Sequence, residues 1–113
     1  MPEGGSFVGN IYGGAGLSDV SKAMLVGSVG YLYSNGYAYV TVNIKPNCQV
    51  KAYHVYIGST LPTDFRANGR FPYTGGSIPS GNAVIIPSSG AYLGSATQAY
   101  FIAHFDVCCR VTN

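Results

Sequence analysis

Apolar and polar residues alternate along much of this chain with a period of two, the repeat of a β-strand whose successive side chains point to opposite faces. The clearest stretch runs from Ala23 to Ile44 and centres on Asn35-Gly36. An Asn-Gly pair between alternating runs predicts a two-residue hairpin loop, because a type I′ turn needs positive φ at both central positions. The loop length then sets the register: Ser34 opposite Tyr37, Tyr33 opposite Ala38, Tyr31 opposite Val40 and Val29 opposite Val42. Cross-strand partners share a face. One face therefore carries Leu25, Val29, Tyr31, Tyr33, Ala38, Val40, Val42 and Ile44 and is the expected core face. The other carries Ser28, Gly30, Leu32, Tyr39, Thr41 and Asn43 and is mostly polar.

Further strands are expected on the same grounds. Phe7 to Tyr12 makes a short first strand, and Gln49 to Gly58 alternates with Tyr53, Val55 and Ile57 on one side. Ala83 to Ile86 is a short apolar run ended by Pro87, and Gln98 to Cys108 places Phe101, Ala103, Phe105 and Val107 on one side. Leu17 to Met24 offers Ser18 and Asp19 as caps but has no apolar stripe, so one helical turn is the most it supports. Between Thr60 and Asn82 lie three prolines and several glycines, which read as one long irregular loop. A loop of that length in a compact domain is often functional. The expected fold is all-β: a single antiparallel β-sandwich of six to eight short strands with one long irregular loop. It spans residues 1–113 as one domain, with residues 1–6 a flexible or partner-contacting arm.

Composition sharpens this reading. The chain has 113 residues, enough for one domain with its own core. Hydrophobic residues make up 47% and charged residues only 9%, against about 25% charged in an ordinary soluble domain. The surface must then be covered by Gly, Ser, Thr, Asn and Tyr, with little charge repulsion to keep copies apart. The net charge is +2, and Lys22, Lys45, Lys51, Arg66, Arg70 and Arg110 are scattered rather than striped, which argues against nucleic acid as a partner. No run approaches the length of a transmembrane helix. The opening Met1-Pro2-Glu3-Gly4-Gly5 lacks the charged and apolar regions of a signal peptide.

The cysteines are Cys48, Cys108 and Cys109. An odd count suggests one bridge and one thiol left for another partner; the alternative is three reduced thiols in a cytosolic protein. A bridge from Cys48 to either Cys108 or Cys109 closes a loop of about 60 residues and stabilises by roughly 4 kcal/mol in the chain-entropy account. Neighbouring strand residues face opposite ways, so one of the adjacent sulfurs can face the core while the other faces out.

Candidate chemistry is sparse. If Val55 and Phe105 face the core, His54 and His104 face the other way, with Asp106 beside His104. Two imidazoles and a carboxylate are a metal-ligand set only if their strands are adjacent, which the sequence leaves open; the plainer reading is a polar position on each strand. No metal or cofactor is therefore expected. Glu3, Asp19, Asp64 and Asp106 are dispersed, and no nucleophile motif occurs, so the chain does not read as an enzyme. The long loop gathers Asp64, Phe65, Arg66, Arg70, Phe71 and Tyr73. Of these, Arg66, Arg70, Phe71 and Tyr73 are the first choice for a ligand or partner surface, against the alternative that the aromatics simply pack over a sheet edge. Tyr37, Tyr39, Tyr56, Tyr73 and Tyr92 are candidates for stacking on sugars or on neighbouring subunits.

Several segments occur in a characteristic order: Asn10-Ile11-Tyr12-Gly13-Gly14, Leu25-Val26-Gly27-Ser28-Val29, Tyr39-Val40-Thr41-Val42, Tyr53-His54-Val55-Tyr56-Ile57-Gly58-Ser59, Gly69-Arg70-Phe71-Pro72-Tyr73 and Tyr100-Phe101-Ile102-Ala103-His104-Phe105-Asp106-Val107-Cys108. In this order the chain resembles a recurrent β-sandwich domain of secreted and cell-surface proteins of bacteria and archaea, over almost its whole length. That domain has no assigned catalytic activity, so the resemblance implies an extracellular accessory module and transfers no active site. This copy lacks the flanking anchors often found beside such domains, which suggests that it works by itself. The expected function is an extracellular or cell-surface structural protein that self-assembles into a filament or surface layer, with copies of itself as partners. The alternative is a carbohydrate- or surface-binding module with a glycan as partner.

Overall fold

The computed structural model describes residues 1–13, 24–61 and 71–110. Seven strands and no helix occur among them: β1 (Ser6–Gly13), β2 (Met24–Ser34), β3 (Tyr37–Ile44), β4 (Cys48–Gly58), β5 (Tyr73–Gly75), β6 (Ala83–Tyr92) and β7 (Tyr100–Cys109). They form two antiparallel sheets, one of four strands in the order β1-β2-β3-β6 and one of three in the order β5-β4-β7. The fold is the all-β sandwich expected from the alternation.

The β2–β3 hairpin has the register set by its loop, with Ser34 opposite Tyr37, Tyr33 opposite Ala38, Tyr31 opposite Val40 and Val29 opposite Val42. Asn35 and Gly36 both have positive φ, at 54° and 81°, as a type I′ turn requires. The inward side chains Val29, Tyr33, Ala38, Val40, Val42 and Ile44 join Val50, Val55 and Ile57 of β4 in one core.

Near its start β2 departs from simple alternation. The pairing with β1 shifts between Ile11 and Tyr12, which leaves Val26 as an extra residue between Gly27 and Leu25. Val26 is consequently buried, and Leu25, expected on the core face, is exposed. The bulge depends on Gly27: a Cβ there would collide with the Asn43 carbonyl oxygen of β3. A bulge bends its strand and reverses the inward parity beyond it. The same device operates in β4, where the shift between Val50 and Ala52 lets Val50 and Tyr53 both face inward.

Two further expectations are corrected. The strand expected to end at Pro87 runs on to Tyr92, because its pairing with β3 skips from Val40–Ile86 to Ala38–Ala91. Residues 87–90 bulge out of the ladder there, so the missing N–H of proline costs no ladder bond. The stretch expected as one irregular loop contains β5, paired with β4, and Ile78, which bridges Val50 and is buried. The expected helical turn at Leu17 to Met24 lies almost wholly outside the described residues; Met24 itself begins β2.

The first residues, expected as a flexible or partner-contacting arm, are hydrogen-bonded to the chain's own body. Met1 exchanges two backbone bonds with Ala99, its nitrogen donating at 2.8 Å and its carbonyl accepting at 2.7 Å. The Glu3 carboxylate accepts from the Asn35 and Gly36 backbone N–H groups at 2.8 and 3.4 Å and so holds the hairpin tip. Gly4 donates to the Tyr33 carbonyl at 2.7 Å. Beneath them, the fully buried Tyr33 donates its hydroxyl to the Ala96 carbonyl.

Candidate functional site

The cysteines resolve by strand parity. Cys48 and Cys109 are directly opposed on β4 and β7, with Cα atoms 4.0 Å apart, and form the disulfide. Alternation along β7 turns Cys108 to the outer face, where it is an exposed free thiol. The bridge staples one end of β7 to the central strand of its sheet.

The same register brings the two histidines together. His54 of β4 and His104 of β7 are direct cross-strand partners, with Thr74 of β5 on the other side of His54. They lie on the face opposite the inward Tyr53, Val55, Ala103 and Phe105. His104 is exposed, whereas the Nδ1 of His54 is buried without a hydrogen-bond partner. Asp106 is one outward position further along β7, opposite Ala52. Among the described residues no group of three or more His, Cys, Asp or Glu side chains is arranged to hold a metal.

The long-loop candidates divide. Arg66 and Arg70 lie outside the described residues. Phe71 is buried, with its ring tilted against Tyr56 at 6.1 Å. Tyr73 is half-buried on β5, across from Val55. These two aromatics therefore pack on β4.

The surface that sequence reasoning missed is the edge at β1 and β7. No described strand pairs with the outer side of either. Between them a cleft of about 260 Å³ is lined by residues that include Ile11, Tyr12, Tyr31, Ala103 and Phe105. An aromatic row that shares Tyr31 with the cleft runs from one sheet to the other: Phe7 stacks on Tyr31 at 6.2 Å, and Tyr31 tilts against Phe101 at 5.2 Å. Phe7 is 58% exposed and Val8 is 74% exposed, while burial raises the Tyr31 phenol above its ordinary pKa. A second exposed aromatic pair, Tyr37 and Tyr92, sits beside the hairpin tip with ring centres 5.1 Å apart. The tyrosine count signalled this pair in general terms, but the exposure of β1 depends on strand order.

No protein-family model, curated protein or solved structure matches the chain. No helix among the described residues is long and apolar enough to cross a membrane.

Proposed function

We propose that this chain is an extracellular structural protein whose copies assemble, edge strand to edge strand, into a filament or surface layer. The observation that carries the reading is β1. An edge strand presents unpaired N–H and C=O groups, and natural edges are usually blunted by charge, proline, bulges or shortness. The sheets have four such edges. β5 is only three residues long, and β6 carries Pro87 and a bulge. β1 has eight residues, with no charge and no proline, and displays Phe7, Val8 and Tyr12. β7, on the same side of the sandwich, carries a single charge, Asp106.

The sparse surface charge and the exposed Cys108 support association, and the Cys48–Cys109 bridge supports an oxidising compartment. Sedimentation at high concentration without reductant, with negative-stain microscopy, is the test. Assembled material is expected, and Val8→Lys should return it to monomer without lowering the melting temperature, since Val8 is 74% exposed. A chain that stays monomeric under these conditions refutes the reading.

The Tyr37–Tyr92 pair favours a second reading, a carbohydrate- or surface-binding module, because exposed rings side by side make a stacking platform. It requires saturable binding to a glycan that Tyr92→Ala abolishes.

A further inference from the structure

We propose that His54 and His104 form a two-imidazole binding site for a late divalent transition-metal ion, on the outer face of the three-stranded sheet. The chain has only two histidines, and the fold sets them directly opposite each other on β4 and β7. Cross-strand partners in an antiparallel pair hold their Cβ atoms about 4.5–5.5 Å apart. Two nitrogens bound to one tetrahedral ion at about 2.0–2.1 Å are roughly 3.3 Å from each other, which opposed imidazoles reach by side-chain rotation alone. The backbones need not move, because both residues sit inside a continuous ladder rather than in loops.

The state of His54 points the same way. Its Nδ1 is buried and has no hydrogen-bond partner. Buried polar atoms are nearly always paired, and a water or an ion is one of the partners that satisfies an exception. His54 has Thr74 on one side and His104 on the other, so the adjacent electron-pair donor of matching type is the second imidazole. Asp106, on the same face, adds negative charge near a bound cation.

The donor set selects the ion. Neutral imidazole suits Cu²⁺, Ni²⁺ and Zn²⁺, whereas Mg²⁺ and Ca²⁺ want cages of oxygen ligands. With no larger group of ligating side chains among the described residues, two positions come from the protein and the rest are left to water. Such a site is open to solvent on the side of the exposed His104 and buried at the His54 Nδ1, unlike a closed four-ligand structural centre. Its affinities should follow the usual order for nitrogen sites, with Cu²⁺ ahead of Ni²⁺ and Zn²⁺, and Mn²⁺ weakest.

The test is calorimetric titration of the untagged protein with Ni²⁺ and Zn²⁺. It is done in a Cys108→Ser background, because the exposed thiol would otherwise compete for soft ions. One ion per chain is expected, and His54→Gln and His104→Gln should each weaken binding at least about tenfold. NMR of the imidazole ring signals in the unsubstituted protein gives an independent reading, since both rings should shift together during one titration. Absence of saturable binding, binding that survives either substitution, or equal binding of Mg²⁺ overturns the proposal.

Discussion

Removing the Cys48–Cys109 bridge should be the most damaging covalent change available to this fold. The bridge joins residues 61 apart in sequence. In the chain-entropy account, closing a loop of that length removes roughly 4 kcal/mol worth of freedom from the unfolded chain. The native side gains little to offset the loss, because Cys48 is already 1% exposed within the core and its partner lies opposite on the neighbouring strand. Globular proteins unfold with an entropy of about 2.1 cal/mol/K per residue, or roughly 0.24 kcal/mol/K for a chain of this size. The melting temperature of a Cys48→Ala/Cys109→Ala protein should therefore fall by roughly 15–20 °C. Differential scanning calorimetry of that variant, beside Cys108→Ser as a control that keeps the bridge, measures it. A fall of less than about 5 °C in the double variant would refute the loop-entropy reasoning. Peptide mapping that found Cys48 joined to Cys108 would refute the strand parity behind it.

Gly27→Ala should cost about 3 kcal/mol, because the new Cβ meets backbone of β3 rather than a movable side chain; urea unfolding measures it, and a neutral result would mean the β2 bulge is not as described. Tyr33 has a phenol raised above its ordinary value of 10.0, first by burial and then by the charges of Glu3 and Tyr92. The folded state thus prefers the protonated phenol: stability is intact below pH 10.0 and is lost as pH rises through the higher folded value. Tyr33→Phe should lower the urea midpoint at neutral pH, by stranding the Ala96 carbonyl, yet fall less than the parent between pH 8 and pH 11. Equal alkaline losses in the two proteins would remove Tyr33 from the account.

What could be read from the sequence was local. The Asn35-Gly36 turn and a period of two determine the hairpin register without reference to the rest of the chain. Leu25 and Val26 exchange places because Gly27 approaches the backbone of β3, a contact between strands that no alternation reports. β5 has too few residues to show a period, and Pro87 looked like a stop only because its bulge could not be foreseen. The outward face of His54 and His104 follows from parity, but their pairing depends on β4 and β7 being neighbours, which spans about half the chain. Strand order likewise decides that β1 is an edge while β2 and β3 are enclosed. Parity also explains why Cys108 and Cys109 divide as they do, once the partner of β7 is known.

Valence separates the two ways in which copies could be joined. Each chain has one free thiol, Cys108, among its three cysteines. One thiol per copy can link copies only in pairs, so disulfide chemistry alone ends at a dimer. A filament or layer needs at least two contacts per copy, and β1 and β7 each have a side that no described strand pairs. Reductant then has two distinct targets: any link through Cys108, and the staple that fixes β7 to β4. Cys108→Ser removes the first and leaves the second. That variant should still assemble at high concentration, and its assembly should still weaken with reductant as the β7 edge loosens. In a non-reducing denaturing gel the parent should show monomer and dimer, and the variant monomer alone. A ladder of higher species would mean that the Cys48–Cys109 bridge exchanges between copies. Loss of all assembly in the variant would mean that the strand edges join only dimers already linked through Cys108, and not single chains.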